Sequence, residues 1–388
     1  MIVIGGMDNL VKSCLSLGAF LFTSIIKRDK RIVLCTGWFG RRFADNSRYM
    51  FLYLNEQKKV LGLKKIIWLT NDSRILEELK EQGFCVYKGN SVMGIYYHLR
   101  AKYFFYDQFL YDFHTTLIHG GKHINLWHGM PIKKFGLLNG LKWSLNDGYL
   151  LTCSKHGDLT LGKCFDVRPE RLIHGMYPRN YYLLHDIPFH LKMEAFYLRQ
   201  IDEIKRNGRK ILFYLPTFRR NSSLCFLGES DEHKIKDLFL FFEQNGYSLL
   251  SKLHFRGVEL HDDIVNLENR LFLNLPPEVD IYPFLKKADM LLTDYSSVLF
   301  DFLYLDRDIV CLPYDLQEYK EKDQGLLLDY DSLPVDRVNN LDELKEYLSK
   351  KNSGEEMELR GTRRKEWLLR CFEDGTMNDV VDAVFTEN

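Results

Sequence analysis

The sequence predicts an α/β protein with two Rossmann-like domains facing a cleft. Three observations carry this reading. Short apolar runs alternate with amphipathic segments, the pattern of a parallel sheet with helices on both faces. The alternation comes as two series, beginning at Arg31 and at Lys210, with a helical connector at Tyr181 to Gly208 between them. A chain of 388 residues is also longer than a single core usually serves.

In chain order, Asn9 to Ile26 is mostly apolar and is followed by the basic run Lys27 to Arg31. A signal peptide would carry its charge before the apolar stretch. Lys12, Ser13 and Ser16 interrupt the ~20 apolar residues that a spanning helix needs. Residues 1–30 therefore read as a helix that either lies on a membrane face or packs on the first domain. Candidate strands follow at Arg31 to Thr36, Lys65 to Thr70, Phe84 to Tyr87, Tyr103 to Tyr106, His123 to Trp127, Tyr149 to Cys153 and Leu172 to Gly175. The second series runs through Lys210 to Pro216, Tyr247 to Leu253, Leu271 to Leu275, Met290 to Thr293 and Ile309 to Pro313. The expected domains are 31–190 and 191–388, and Leu341 to Val384 is expected to be helical and to pack back across them. Ligands of open α/β sheets bind at the carboxyl ends of strands, so the site is expected there.

Composition narrows the function. The formal net charge is +0, so no overall basic field points to nucleic acid. The 8 cysteines show no Cys-x-x-Cys and no zinc-type Cys/His spacing, so they read as free thiols, with Cys35, Cys153 and Cys311 in buried strands. No metal cluster and no Gly-rich nucleotide loop ending in Lys-Ser/Thr is present, and no cofactor is implied.

The stretch Ala288 to Tyr319 reads as strand, tight turn, helix, strand. Ser296 and Ser297 fall where the helix begins, so they suit a phosphate or simply cap the helix. His128 follows a strand in Trp127-His128-Gly129-Met130-Pro131, beside Lys133 and Lys134. An imidazole there is suited to take a proton from an attacking hydroxyl, or is a structural turn residue.

The string TDYSSVLFDFLYLDRDIVCLPYDLQEY, Thr293 to Tyr319, resembles the C-terminal signature of the CDP-glycerol glycerophosphotransferase family. Four further strings carry the resemblance: Ala44-Asp45-Asn46-Ser47-Arg48-Tyr49, Asn125 to Lys134, His174 to Asn180, and Tyr214 to Arg219. Lys252-Leu253-His254 resembles a K/R-x-H string of the same family, and Gln324 to Tyr330 a shorter one. Met130 stands where the family often has Thr, and Tyr181 where it usually has an acid. The resemblance implies a two-domain glycosyltransferase-B fold, with an acceptor domain at 31–190 and a donor domain at 191–388. It implies transfer of glycerol phosphate from CDP-glycerol to an acceptor hydroxyl, with release of CMP, in teichoic acid or capsule synthesis. His128 would be the base, and His254 would donate to a phosphate oxygen. Arg179 and Thr217 would contact phosphates, and Arg219 would do so or form a surface ion pair. Ser296 and Ser297 would cradle the pyrophosphate, Asp301 would accept from a ribose hydroxyl, and Asp294 would brace the turn. A lipid-linked or polymer acceptor and a cytoplasmic membrane surface would be the partners. A CDP-ribitol enzyme and a catalytically silent polymer-binding relative are the alternatives.

Overall fold

The computed structural model describes residues 26–108, 110–141, 145, 148–217, 219, 225–253, 270–322, 325–352 and 358–386. The expected helix over 1–30, up to residue 25, together with His254 and Gln324, lies outside them.

Both sheets are parallel throughout. The first holds β1 (Asp29–Cys35), β2 (Lys65–Leu69), β3 (Cys85–Tyr87), β4 (Ala101–Tyr106), β5 (Lys122–Asn125), β6 (Tyr149–Thr152) and β7 (Leu172–His174), in the order β3-β2-β1-β4-β5-β6-β7. The second holds β8 (Lys210–Leu215), β9 (Tyr247–Ser251), β10 (Phe272–Asn274), β11 (Met290–Thr293), β12 (Asp308–Cys311) and β13 (Asp336–Arg337), in the order β10-β9-β8-β11-β12-β13. Continuous apolar runs form the central strands because helices cover both faces. Leu34 aligns with Ile67 on one side and Phe104 on the other, and Leu292 with Tyr214 and Val310. All three positions of the first set are fully buried. The strand order reverses between β1 and β4 and between β8 and β11, so each sheet has a switch point at which open α/β folds bind ligands.

The first series carries helices α1 (Asp45–Glu56), α2 (Ser73–Glu81), α3 (Val92–Arg100) and α4 (Lys155–Phe165). The connector consists of α5 (Pro178–Leu184) and α6 (Lys192–Arg206). The expected boundary at 190/191 falls between these two helices. The second series carries α7 (Glu232–Asn245), α8 (Tyr282–Leu285), α9 (Val298–Phe302) and α10 (Leu316–Lys322). The chain ends in α11 (Leu341–Asn352), α12 (Glu358–Phe372) and α13 (Met377–Phe385). Helix α13 returns to the first sheet: Lys122 Nζ donates to the carbonyls of Ala383 and Val384, and the Phe385 ring lies 4.6 Å from that of Tyr103. A partition of the chain at 190/191 therefore omits one element of the first half.

The basic run after the N-terminal segment is not turned wholly to solvent. Arg28 donates to the carbonyls of His98, Ala101, Leu117 and His119, and burial lowers its guanidinium to about 10. It staples the amino end of β1 to the neighbouring loops and is taken out of any membrane-facing cluster.

One apolar core runs continuously from the first sheet through α1, α5 and α8 into the second, and includes Val33, Tyr49, Tyr182, Tyr282 and Leu291. At its centre Arg48 is fully buried. Its Nη1 and Nη2 meet the Glu194 carboxylate at 2.6 and 2.8 Å, and Asp280 lies at 3.5 Å. These three charges join α1, α6 and the turn before α8. Arg48→Met leaves two buried carboxylates without their cation, and we expect a loss of about 3–5 kcal/mol in urea unfolding.

Candidate active site

The WHG turn begins where β5 ends. Asn125 Oδ1 accepts from the Trp127 amide at 2.7 Å, and this closes the chain on itself. Trp127 then takes a φ of 52° and Gly129 a φ of 109°. A side chain at Gly129 would be strained there, and its Cβ would come 2.2 Å from Arg179 Nη2. The glycine thus lets the arginine lie flat against the turn. The His128 ring packs on Trp127, with centroids 3.8 Å apart. Its Nδ1 is buried without a hydrogen-bond partner. Burial lowers the imidazole to about 4, with Asp45 opposing and Arg179 and Lys133 adding to the shift. His128 is therefore neutral at physiological pH, as a proton acceptor must be.

Arg179, on the first turn of α5, occupies the space between the two sheets. Its Nη1 donates to Asp45 Oδ1 at 2.7 Å, and its Nη2 to Asp301 Oδ2 at 2.7 Å and to the His128 carbonyl at 2.8 Å. Its backbone amide donates to Asn46 Oδ1 at 3.2 Å. Asn46 in turn donates to the Trp127 carbonyl at 2.9 Å. The expected phosphate contact through Arg179 meets a guanidinium already held by two carboxylates. Asp301 is likewise engaged. It is 1% exposed, accepts from Tyr282 Oη at 2.8 Å as well as from Arg179, and burial raises its carboxyl against the pull of Arg179. Its Oδ2 is thus taken, while its Oδ1 is buried without a hydrogen-bond partner, so a ribose hydroxyl would have to reach that second oxygen.

The Thr293 to Ser297 turn has its own brace. Asp294 Oδ1 accepts from the amides of Thr217 and Tyr295 at 2.8 and 2.5 Å. Its Oδ2 meets Arg219 Nη2 at 2.8 Å. Arg219 also reaches both oxygens of Asp315 and the Thr217 carbonyl, and its guanidinium lies over the rings of Tyr295, Tyr314 and Tyr319. Burial excludes the surface ion pair, and Asp294, Asp315 and the Thr217 carbonyl take most of the N–H groups with which Arg219 could meet a phosphate. Thr217 serves the same brace through its backbone. Asp294 braces the turn as expected from the sequence. Tyr330 adds to it, donating to the Asp294 carbonyl at 2.8 Å. Helix α9 is only five residues long and runs into a 3-10 turn at Leu303–Leu305. It is too short for a helix-dipole argument. Ser297 makes no capping bond, and Ser296 Oγ accepts a long bond from the Val298 amide at 3.5 Å, so neither hydroxyl proton is consumed in capping.

His128, Arg179, Ser296, Ser297 and Asp301 line one cleft of about 320 Å³ between the sheets. Thr217 and Arg219 stand behind it. Trp38, Arg42, Asp45, Lys252 and Asp280 complete the walls. Sequence reasoning assigned none of these a role, although Asp45 and Lys252 stand inside strings it had singled out. Among the described residues no group of His, Cys, Asp or Glu is placed to hold a metal ion.

The sequence profile of the CDP-Glycerol:Poly(glycerophosphate) glycerophosphotransferase family matches residues 19–386. The chain belongs to this family. It is a transferase that takes glycerol phosphate from CDP-glycerol to a polymer acceptor. It is 24% identical over 369 residues to a teichoic acid glycerol-phosphate transferase of Staphylococcus aureus (strain NCTC 8325 / PS 47), covering 86% of this chain and 88% of that one. It is 25% identical over 334 residues to a teichoic acid poly(glycerol phosphate) polymerase of Bacillus spizizenii (strain ATCC 23059 / NRRL B-14472 / W23), covering 80% and 81%. The fold matches the solved wall teichoic acid polymerase TagF with a TM-score of 0.68 at 19% identity, over 98% of this enzyme and 95% of that chain. The two-sheet, glycosyltransferase-B-like architecture is thereby shared.

Two outcomes follow from this geometry. Between pH 6.5 and 4 the unfolded chain binds a proton at residue 128 that the folded enzyme refuses, so acidification through this window costs stability. In NMR titration of the free enzyme, the imidazole resonance absent from a His128→Asn variant should not move between about pH 8 and 5.5. Asp301→Ala removes one of the two carboxylates of Arg179 and should cost about 3–5 kcal/mol in urea unfolding. A variant of unchanged stability that no longer distinguishes ribose from deoxyribose donors would restore the sugar-binding role.

Proposed function

We propose that this enzyme extends or primes a teichoic-acid-type glycerol phosphate polymer, with His128 as general base. The acceptor hydroxyl enters from the side of the first sheet and attacks the β-phosphorus of CDP-glycerol. A new oxygen–phosphorus bond forms as the bond to the α-phosphate oxygen breaks. CMP leaves, and the hydroxyl proton passes to His128. Ser296 and Ser297 offer hydroxyls to the donor phosphates from the side of the second sheet. The observation that carries this reading is the neutral imidazole in the cleft between two strand-end loops, facing uncommitted serines. Arg179 and Asp301 serve the same reaction at one remove, by fixing the position of His128. His254 keeps its proposed phosphate contact on the strength of the family string alone.

His128→Ala should lower turnover, followed as CMP release, by ~10²–10⁴-fold while calorimetry shows CDP-glycerol still bound. Near-normal turnover would remove His128 as the base. A folded variant that no longer binds donor would make it a binding residue instead. Incubation of the wild type with CDP-glycerol, CDP-ribitol and UDP-sugars fixes the donor by the nucleotide released.

Location belongs to the same proposal. Among the described residues no helix is long and apolar enough to cross a membrane. Lys58, Lys64, Lys65 and Lys80 surround a pocket of about 430 Å³ on the surface of the first sheet. Lys59 adjoins it in the chain. With the apolar segment Asn9 to Ile26, this cluster supports peripheral attachment to the cytoplasmic membrane face. Each lysine near an anionic surface contributes about 1 kcal/mol. The enzyme should sediment with anionic vesicles at low salt and be released at high salt, and no sedimentation at low salt would refute the attachment.

A further inference from the structure

The arginines that the sequence offered as phosphate ligands are already paired with carboxylates, which raises the question of what else meets the charge of a nucleoside diphosphate. Each carboxylate lining the cleft already has an arginine: Asp45 and Asp301 share Arg179, and Asp280 faces Arg48. Two cations in the same walls have none. Arg42 follows β1, stacks on the Trp38 ring at 4.9 Å, and forms no ion pair among the described residues. Lys252 follows β9 and donates to the Val279 carbonyl, again with no ion pair among the described residues. Burial lowers both groups. Lys252 comes to about 8, with Arg42 lowering it further and Asp280, Glu194 and Glu278 opposing. Both cations are half-buried, with carboxylates near but none paired with them among the described residues, and an anion that reaches them gains more than it would at a fully solvated lysine. The two come from opposite sheets, and Ser296 and Ser297 stand in the same cleft.

We propose that Arg42 and Lys252 form the cationic subsite for the donor's pyrophosphate, closing on it from the two sheets. This rests on the reading of the cleft as the CDP-glycerol site. The stacked, planar Arg42 is suited to bidentate contact with phosphate oxygens, and Lys252 to a point contact. Arg179 and Arg219 then have a different task, which is to hold the loops at the distance this clamp requires.

The test is calorimetry of the full chain with CDP-glycerol, CDP and cytidine, for wild type, Arg42→Gln, Lys252→Gln and Arg42→Lys. Each Gln variant should bind CDP-glycerol and CDP about 10- to 100-fold more weakly and cytidine as before, with Arg42→Lys in between. Affinities for CDP within about twofold of wild type in both Gln variants overturn the subsite. So does an equal weakening for cytidine, which carries no phosphate. A wild type that binds neither CDP-glycerol nor CDP overturns the donor reading itself, and that result is seen before any variant is made.

Discussion

The enzyme depends on one guanidinium held between two carboxylates from opposite sheets. Arg179 receives Asp45 from the start of α1 and Asp301 from α9, each at 2.7 Å. Out of water, such a triad costs more in desolvation than its mutual attraction returns unless its geometry is good and its remaining N–H groups are met. Here the His128 carbonyl meets one of them, so the arrangement that closes the ion triad also sets the turn carrying His128. The Arg48, Glu194 and Asp280 cluster repeats the device a few residues away, again with charges from both halves of the chain. Both sets are buried, and neither is screened by salt as a surface pair would be.

The backbone bears the cost of this arrangement. Trp38, Asp45 and Trp127 all take positive φ, at 51°, 60° and 52°. Non-glycine residues in this region cost of order 1–3 kcal/mol each and persist only where their surroundings fix them. All three belong to the loops at the mouth of the cleft. These strained residues place Asp45 against Arg179 and Trp127 against the His128 ring, two contacts on which the position of the imidazole depends.

Much of the fold was legible because local pattern decides it. The twelve expected strands all form, within a few residues of their expected ends, since a buried parallel strand announces itself as an apolar run. The missing one, β13, is two polar residues at a sheet edge, Asp336 and Arg337, which no apolar signal marks. Helix α9 ends at Phe302 although the apolar spacing persists through the 3-10 turn at Leu303–Leu305. The site was legible only in part. His128, Ser296 and Ser297 stood out through chemistry and turn position. Arg179 and Arg219 were assigned to phosphates because a guanidinium looks the same in sequence whether free or spent. Their partners lie far away in the chain: Asp45 and Asp301 are 134 and 122 residues from Arg179, and Asp315 is 96 from Arg219. Arg42 and Lys252 were passed over for the converse reason, since nothing local shows that a basic residue lacks a partner.

The return of the last helix to the first sheet bears on how the chain is made. Gly175, just past β7, has no room for a side chain because Val380 and the Thr376 carbonyl press on it, and the Thr376 carbonyl also accepts from the Met176 amide. During synthesis β7 emerges some two hundred residues before its cover. The amino-terminal half must therefore wait, with one apolar edge open, until that helix has been made. Domains generally fold as units while the ribosome is still working. This one is completed only by a helix made some two hundred residues after the strand it covers, so the first domain cannot close on its own half of the sequence alone.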